Sequence, residues 1–185
     1  MTVTDHSPGA SDTEFVTSED VVVRQAQFND AETLFRLITD NVDSGHLLPR
    51  ALGELQLHIP RFLVAATPTR VVACAELGRL SPRVAEIRSL VVEQAYRGQG
   101  LGTRLLTRMI ETAGRQGYPR LCAFAHDPRA FIRLGFSIVP HRWIRDKITT
   151  DCYGCVWFRR CEQYAVLLDR GGLTALTGRH QANTA

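Results

Sequence analysis

Three glycines follow an apolar, β-branched run between Leu90 and Leu105, in a pattern that could bind an anion. The apolar run predicts a strand that stops near Glu93, and an amphipathic helix pattern begins after Gly102. A strand, a glycine-rich turn and a helix start together direct backbone N–H groups and the positive end of a helix dipole at an anion. Glycine suits such a turn because it adopts unusual φ/ψ angles and has no side chain to hold a phosphate away from the backbone.

The spacing of these glycines excludes the two commoner nucleotide-binding loops. The P-loop needs Gly-Lys-Ser/Thr at the helix start, and here the glycines lead into Leu-Gly-Thr without a lysine. The dinucleotide fingerprint needs Gly-x-Gly-x-x-Gly, and Gly98, Gly100 and Gly102 are spaced differently. The pattern Arg97-x-x-Gly100-x-Gly102 resembles the pyrophosphate-binding motif of the GCN5-related N-acetyltransferases, which use acetyl-CoA.

Charged residues also occur inside the strand that leads to this turn. Strand side chains alternate between faces, so we expect one face to carry Glu86, Arg88, Leu90 and Val92, and the other Ile87, Ser89 and Val91. Burial of a Glu and an Arg in a central strand is costly unless the two side chains are solvated or form ion pairs. They could form an ion pair on a half-solvated face, or they could line an active-site cleft. The strand that carries Glu86 and Arg88 runs directly into the glycine turn, which favours the cleft for Glu86.

Acetyl transfer to an amine makes Glu86 our candidate general base. The amine is protonated at neutral pH, so a base must remove a proton, directly or through water, before attack. The resemblance supports this role, because the acetylglutamate synthases of the family carry a glutamate at this place on the strand. The developing charge on the thioester carbonyl needs a hydrogen-bond donor, for which a backbone N–H of Val91 or Val92 is the candidate.

The resemblance also implies which residues contact the cofactor. In the family, this strand splays from the next one, and the pantetheine arm of acetyl-CoA takes over its backbone hydrogen bonds. The acetyl-CoA contacts carried over in this way are Leu90, Val91, Val92, Arg97, Gly98, Gln99, Gly100, Leu101, Gly102 and Thr103.

One position departs from the family pattern. Many members place a tyrosine, the general acid for the CoA thiolate, before the Gly-Phe pair that closes the short helix, and here Phe131 occupies that position. A phenol would have to come from Tyr118, Tyr153 or Tyr164 instead. Otherwise the thiolate leaves with help from water or a helix N-terminus. We expect Phe131 itself to be a packing residue.

Two further stretches, Gly45–Leu55 and Trp143–Gln163, resemble the short single-domain N-acetylglutamate synthases of bacteria. The resemblance implies that the acceptor is an amino acid, with L-glutamate as the first candidate, and that the enzyme acts in arginine biosynthesis. Arginine binds carboxylates bidentately, so Arg50 and Arg88 are the substrate-binding candidates. Related synthases favour Arg50, and Arg88 could instead pair with Glu86. Another amine as acceptor (a protein N-terminus, a polyamine or an antibiotic) and a non-catalytic acyl-CoA-binding module stay open.

The second stretch contains three cysteines, Cys152, Cys155 and Cys161, in the spacing C-x-x-C-x5-C. Tetrahedral zinc needs a fourth ligand, for which His141 is the nearest histidine. The alternative is a buried, reduced cluster that packs a loop poor in apolar residues. We favour the reduced cluster and predict no metal, because no fourth ligand is obvious in the sequence. A bound zinc would be structural.

The composition restricts the partners. A net charge of +3 over 185 residues gives no argument for nucleic-acid binding. No apolar run approaches the ~20 residues of a membrane span, and the polar, acidic start does not resemble a signal peptide. Five cysteines, an odd number, favour reduced thiols. We therefore expect a cytoplasmic enzyme with small-molecule substrates and neither nucleic-acid nor membrane partners; a homodimer stays open.

The element pattern predicts one domain over residues 21–170, between a disordered tail over 1–20 and a flexible tail over 171–185. The resemblance implies that this is an N-acetyltransferase domain. The order β-α-α-β-β-β-α-β-α-β-β places hairpins before the α/β crossovers, and Pro140 to Cys161 is expected to be irregular. This order predicts the α/β class, with a mixed sheet and helices on both faces. The acetyltransferase family has the same order, so the resemblance implies its acyl-CoA N-acyltransferase fold.

Overall fold

The computed structural model describes residues 21–42 and 47–171, and these residues form a single mixed sheet with helices on both sides. Three predicted segments lie wholly or partly outside the described residues: the tail over 1–20, all but Gly171 of the tail over 171–185, and Gly45 and His46 of the first synthase-like stretch. The strands are β1 (Val22–Gln25), β2 (Phe62–Ala66), β3 (Val71–Arg79), β4 (Val84–Val92), β5 (Arg120–Ala125), β6 (Ser137–Val139) and β7 (Tyr164–Asp169). The strand order is β1-β2-β3-β4-β5-β7-β6.

The helices confirm the predicted order and add one element. They are α1 (Ala31–Thr39), α2 (Leu52–His58), α3 (Leu101–Arg115), α4 (Arg129–Arg133) and α5 (Arg145–Thr150). The prediction that Pro140 to Cys161 is irregular was wrong for α5. This helix is too short to show apolar periodicity, and tertiary contacts hold it instead: Ile144, just before it, is 2% exposed, and Lys147 bonds to the sheet.

The sheet changes from antiparallel to parallel at its centre, as the predicted order of hairpins and crossovers requires. β1 to β4 pair antiparallel in sequence, and β4 pairs parallel to β5. The recorded β4–β5 pairs run only from Val84–Arg120 to Ile87–Ala123. β4 continues to Val92, so its last five residues lie beyond the parallel pairing. The two strands therefore separate toward their C-terminal ends.

A β-bulge interrupts β4 where this separation begins. Glu76 pairs with Arg88 and Cys74 with Val91, so two residues of β4, Ser89 and Leu90, stand opposite a single residue of β3. The alternation of side chains between the two faces of β4 is lost at this bulge. Val91 packs with the core under α1 and α2, on the Glu86 and Arg88 side, whereas Leu90 and Val92 pack toward α3. The predicted grouping of Leu90 and Val92 with Glu86 was therefore wrong.

Helices cover both faces, as predicted. α1 and α2 pack with β2 and β3 on one face, and α3 and α4 pack on the other. The buried residues of α3 recur at helical spacing, namely Leu101, Leu105, Leu106, Met109 and Ala113. This face fixes α3 so that its first turn lies beside the separated end of β4. Within the described residues, none of the helices is both long and apolar enough to span a membrane.

Candidate active site

A cleft of about 590 Å³, here called the α3 cleft, lies between the end of β4 and the start of α3. It is lined by all the predicted acetyl-CoA residues except Gln99: Leu90, Val91, Val92, Arg97, Gly98, Gly100, Leu101, Gly102 and Thr103. The Gln99 side chain instead donates to the carbonyl of Ala95 at 3.2 Å. The turn and the splayed strand thus form the walls of one cleft.

The turn has the backbone geometry of an anion-binding site. Gly98 and Gly100 both have φ +79°, a left-handed conformation that favours glycine. Gly100 is the N-cap of α3, and no side chain caps the helix there. The N–H groups of the first turn therefore point into the cleft without a side-chain acceptor.

Arg97 ties this turn to two other elements. Its Nε donates to the carbonyl of Val92 at 3.0 Å, and its Nη2 donates to Asn41 Oδ1 at 2.7 Å. Asn41 lies just beyond α1 and also lines the α3 cleft. Arg97 therefore holds the end of β4 and the end of α1 together at the cleft.

A second cavity of about 660 Å³, here called the α5 cavity, lies on the Glu86 side of β4. Its wall includes Ser89 of the bulge, next to Leu90 in the wall of the α3 cleft, and Leu47 lines both spaces. The charged residues of its wall are Arg50, Glu54, Glu86, Arg88, Lys147, Asp151 and Arg159. The bulge therefore joins an anion-binding cleft to a charged cavity.

Glu86 is buried in the wall of the α5 cavity, with 2% of its surface exposed. Lys147 Nζ donates a hydrogen bond to Oε2 at 2.9 Å and forms an ion pair with Oε1 at 2.7 Å. Burial raises the pKa of Glu86, and the Lys147 charge only partly offsets that rise. A carboxylate with a raised pKa beside a cavity can accept a proton, which is the chemistry predicted for Glu86.

Arg50 and Arg88 both line the α5 cavity, but a buried carboxylate holds them. Glu76, fully buried in β3, accepts from Arg88 Nε and Nη2 at 3.0 Å each and from Arg50 Nη1 at 2.8 Å. The open alternative that Arg88 pairs with Glu86 is corrected, since its hydrogen-bonded partner is Glu76. Burial alone would raise the pKa of Glu76, but the hydrogen bonds and charges of Arg88 and Arg50 lower it.

The remaining donors of Arg50 are engaged as well. Its Nε donates to Glu54 at 2.9 Å, Nη1 also donates to Ser89 Oγ at 3.0 Å, and Nη2 lies 3.2 Å from His58 Nδ1. Arg88 donates to Glu76 through Nε and Nη2, whereas its Nη1 makes no hydrogen bond among the described residues and lies 4.0 Å from Asp151 Oδ2. A substrate carboxylate would displace fewer bonds at Arg88 than at Arg50.

Ser89 has a strained backbone at the junction of the two spaces. Its φ is +51°, which residues with a side chain rarely adopt. The Arg50 guanidinium holds its side chain, and the Cys74 thiol lies 3.5 Å from its carbonyl oxygen. Strained residues of this kind cluster at functional sites, which agrees with a reaction centre at the bulge.

Cys152, Cys155 and Cys161 all line the α5 cavity as free thiols. The first two are half-buried and Cys161 is exposed, so the expectation of a buried cluster was wrong. Cys161 Sγ lies 4.0 Å from His141 Nε2, and burial raises the pKa of Cys152, which disfavours its thiolate. Among the residues that the structure describes, no group of three or more His, Cys, Asp or Glu is arranged to hold a metal ion.

Phe131 is 5% exposed and packs edge-on against Phe136, with ring centroids 5.4 Å apart, so the packing role is confirmed. Tyr118, Tyr153 and Tyr164, the alternative phenols, are absent from the walls of both spaces as far as the described residues go. Tyr96 lines the α3 cleft and is 9% exposed.

Three residues of the site were missed or given no role by sequence reasoning. Glu76 had a usable signal, because a hairpin centred on Pro82 places it opposite Arg88. Arg159 lies in the wall of the α5 cavity without a signal in spacing. Lys147 lies within the second synthase-like stretch, but only the structure brings it to Glu86 across 61 residues of sequence.

A cleft with the backbone geometry of an anion site, joined to a charged cavity with a buried carboxylate, is an arrangement typical of an enzyme that transfers a group from an anionic donor. The acetyltransferase (GNAT) family model matches residues 28–136, which include the turn, β4 and Phe131. This match covers more than half of the chain, and the protein therefore belongs to the GNAT family of N-acetyltransferases. α5 and the cysteine segment lie beyond the matched residues.

Individual relatives agree with this assignment. The chain is 26% identical over 148 residues to an uncharacterised N-acetyltransferase of Chlorobaculum tepidum, covering 80% of this chain and 96% of that protein. It is 31% identical over 130 residues to an amino-acid acetyltransferase of Shewanella oneidensis, covering 68% of this chain and only 29% of that protein.

A solved structure extends the comparison to the fold. N-acetylglutamate synthase from Neisseria gonorrhoeae, complexed with coenzyme A and N-acetyl-glutamate, superimposes with a TM-score of 0.69 and 25% identity. The match covers 80% of this chain and 35% of that chain. The predicted acyl-CoA N-acyltransferase fold is confirmed.

Proposed function

We propose that the protein transfers the acetyl group of acetyl-CoA to the α-amino group of a free amino acid, with L-glutamate as the preferred acceptor. The reaction would be the first step of arginine synthesis in the cytoplasm. The observation that carries the proposal is the junction at the bulge of β4. There the α3 cleft, with its open helix N–H groups, meets a charged cavity that contains Glu86.

Acetyl-CoA fits the α3 cleft by its chemistry. Its pyrophosphate would lie on the N–H groups of the first turn of α3, between Gly98 and Thr103, where the helix dipole favours negative charge. Its pantetheine arm would follow Leu90, Val91 and Val92, which lie beyond the recorded pairing of β4 with β5. The structural relative with bound coenzyme A supports this placement.

An acidic amino acid fits the cations of the α5 cavity. Glutamate has two carboxylates, and arginine is the side chain best suited to bind them. Arg88 can offer Nη1, while Arg50 is held by Glu76 and Glu54. Arg159 is the third arginine of the cavity, and within residues 21–42 and 47–171 it has no hydrogen-bond or ion-pair partner. We therefore add Arg159 to Arg50 and Arg88 as a proposed contact for substrate carboxylate.

The proposed chemistry starts at Glu86. The Glu86 carboxylate takes a proton from the acceptor ammonium, through water where the two do not touch. The amine nitrogen then attacks the thioester carbonyl carbon, and an N–H of Val91 or Val92 donates to the oxyanion. The C–S bond breaks, and the second proton that the attacking nitrogen must lose passes through water to the CoA thiolate, since Phe131 has no proton to give. Glu86 then releases its proton to solvent. Both products, the N-acetyl amino acid and CoA, leave through the two spaces that admitted the substrates.

An acetylation assay tests this function. Release of free CoA thiol is measured with acetyl-CoA and each of the twenty amino acids, a polyamine, an aminoglycoside antibiotic and a short peptide with a free N-terminus. We expect turnover with L-glutamate above all other acceptors. Turnover with the peptide, the polyamine or the antibiotic and none with glutamate would contradict the proposed acceptor. Binding of acetyl-CoA with no turnover on any amine would contradict the catalytic function and indicate a binding module.

A further inference from the structure

Lys147 occupies an unusual position for a lysine. Only 13% of its side chain is exposed, and its ammonium group lies between the carboxylates of Glu86 and Asp151. The nitrogen is 2.7 Å from Glu86 Oε1 and 2.7 Å from Asp151 Oδ2, and it lies 5.5 Å from the centre of the Phe124 ring. All four of these residues line the α5 cavity. Holding the long lysine side chain in one conformation costs side-chain entropy, and the two ion pairs offset that cost.

Helix α5 is built around this contact. It has only six residues, and no side chain caps its N-terminus. Two contacts attach it to the sheet: Ile144 is buried beside Val84 and Cys122, and Lys147 reaches Glu86 in the central strand. The same helix leads directly into Asp151, which completes the pair of carboxylates. The fold therefore delivers one ammonium group to the side chain that we propose as the base.

We infer that Lys147 is a positioning residue for this acetyl transfer: it holds Glu86 in its ionised form and in one orientation, so that Glu86 can act as the base. The inference rests on the proposed role of Glu86, although it does not depend on which amine is the acceptor. Lys147 Nζ donates a hydrogen bond to Glu86 Oε2 at 2.9 Å and lies 2.7 Å from Oε1 in the ion pair, so one ammonium group contacts both oxygens and restrains rotation of the carboxylate.

The charged and titratable groups around Glu86 show why the lysine is needed. From its own strand Glu86 faces Arg88, and from β5 it faces the buried thiol of Cys122. From α5 and the residue that follows it, Lys147 and Asp151 face it. His141 and Cys152 lie in the same cavity wall. Burial and Asp151 raise the pKa of Glu86, whereas Lys147 and Arg88 lower it, and Lys147 is the largest of the lowering influences. Without Lys147, the buried carboxyl would keep its proton at a higher pH and could not accept another.

The neighbouring carboxylate gives a test that loss of structure cannot imitate. Asp151 opposes ionisation of Glu86, so Asp151→Asn should lower the pKa of Glu86 while the Lys147 contact remains. Lys147→Met should raise it, because it removes the opposite charge at 2.7 Å. Two variants in one ion network are thus expected to shift the same carboxyl in opposite directions.

The experiment measures the pH dependence of kcat/KM for the wild type, Lys147→Met, Lys147→Arg and Asp151→Asn, with the amine that the wild type acetylates best. Titration of the Glu86 side-chain carboxyl is followed in parallel by 13C NMR, which needs no acceptor. Arg145→Met is the control, because Arg145 is exposed on the same helix and lies outside the cavity wall. Thermal unfolding of each variant reports whether α5 and the sheet remain folded.

We expect the acid limb of Lys147→Met to move up by about one pH unit or more, as for loss of an opposite charge within 4–6 Å. Lys147→Arg, which keeps the charge, should restore most of the wild-type profile, and Asp151→Asn should move the limb down. The NMR titration should move by the same amounts. An acid limb of the kcat/KM profile that stays in place in Lys147→Met would overturn the inference. So would an NMR titration of Glu86 that shifts in Lys147→Met and Asp151→Asn while the acid limb of neither variant moves. Absence of wild-type activity with glutamate would instead count against the proposed acceptor alone.

Discussion

Replacement of Glu76 by glutamine tests the ion network that supports the α5 cavity. The Glu76 carboxylate is fully buried and accepts hydrogen bonds from Arg88 and Arg50, with His58 Nδ1 at 3.3 Å from Oε1. Glutamine has nearly the same shape, so it removes the charge with little change in packing volume. Two arginines would then lose their common counter-ion, although only 9% of the Arg50 side chain and 27% of the Arg88 side chain are exposed.

The expected loss of stability follows from what each arginine keeps. Breaking a buried ion pair from one side costs about 3–5 kcal/mol. Arg50 keeps Glu54 at 2.7 Å, and Arg88 keeps Asp151 at 4.0 Å. We therefore expect Glu76→Gln to lower the free energy of unfolding by about 3 kcal/mol, at the lower end of that range. For a chain of this length that corresponds to a fall in Tm of roughly 6–12 °C.

The assay is urea and thermal unfolding of the wild type and Glu76→Gln at pH 7 and at more acidic pH. Glu54→Gln is the matched control, because Glu54 pairs with the same Arg50 but its side chain is 42% exposed. That pair should contribute at most about 1 kcal/mol. A loss for Glu76→Gln no larger than the loss for Glu54→Gln would refute the claim that Glu76 is the centre of the network.

The pH dependence of the free energy of unfolding tests the charge of Glu76 independently. The folded state lowers the pKa of Glu76 below its ordinary value of 4.5. Its stabilising contribution is therefore complete above about pH 4.5 and is lost as the pH falls through the folded-state pKa. The difference in free energy of unfolding between the wild type and Glu76→Gln should be largest at neutral pH and should narrow below pH 4.5. A difference that widens on acidification would contradict this account.

Four further experiments test the site. Glu86→Gln should reduce turnover by ~10²-fold or more and leave acetyl-CoA binding by calorimetry unchanged; unchanged turnover would remove Glu86 from the mechanism. Gly100→Ala should lower the free energy of unfolding by about 1–2 kcal/mol, because its φ is +79°, and should raise the KM for acetyl-CoA but not for the acceptor. Arg159→Met should raise the KM for glutamate, whereas the exposed Arg160→Met should not; equal effects would exclude Arg159 as the carboxylate contact. Elemental analysis of the purified protein should find no stoichiometric zinc, and one zinc per chain lost in Cys152→Ser would contradict the reduced-thiol interpretation.

The sheet, the hairpins and the turn could be predicted because each rests on a local pattern. Apolar alternation and turn residues predict the hairpin strands, and helical spacing from Leu101 to Ala113 predicts α3. The glycine spacing predicts the anion site, because left-handed φ values at Gly98 and Gly100 are a local backbone property. These features do not depend on which distant residues meet.

The features that could not be predicted depend on tertiary contact. The bulge at Ser89 reverses the faces of Leu90 and Val92, and the sequence gives no glycine or proline there to mark it. The contact of Lys147 with Glu86 spans 61 residues. The bulge, with the strained Ser89, is at the junction of the two spaces, and the Lys147–Glu86 contact is in the wall of the α5 cavity. Local rules are commonly broken at functional sites in this way.

A crystal structure with CoA and L-glutamate bound would show both proposed binding sites at once. We predict that the CoA pyrophosphate lies on the turn from Gly98 to Thr103 and that the thiol reaches the backbone at Leu90 and Val91. We also predict that the amino group of glutamate enters the α5 cavity toward that thiol, with a carboxylate on Arg88 or Arg159. A CoA thiol that lies away from the bulge, or glutamate bound outside the α5 cavity, would contradict these predictions.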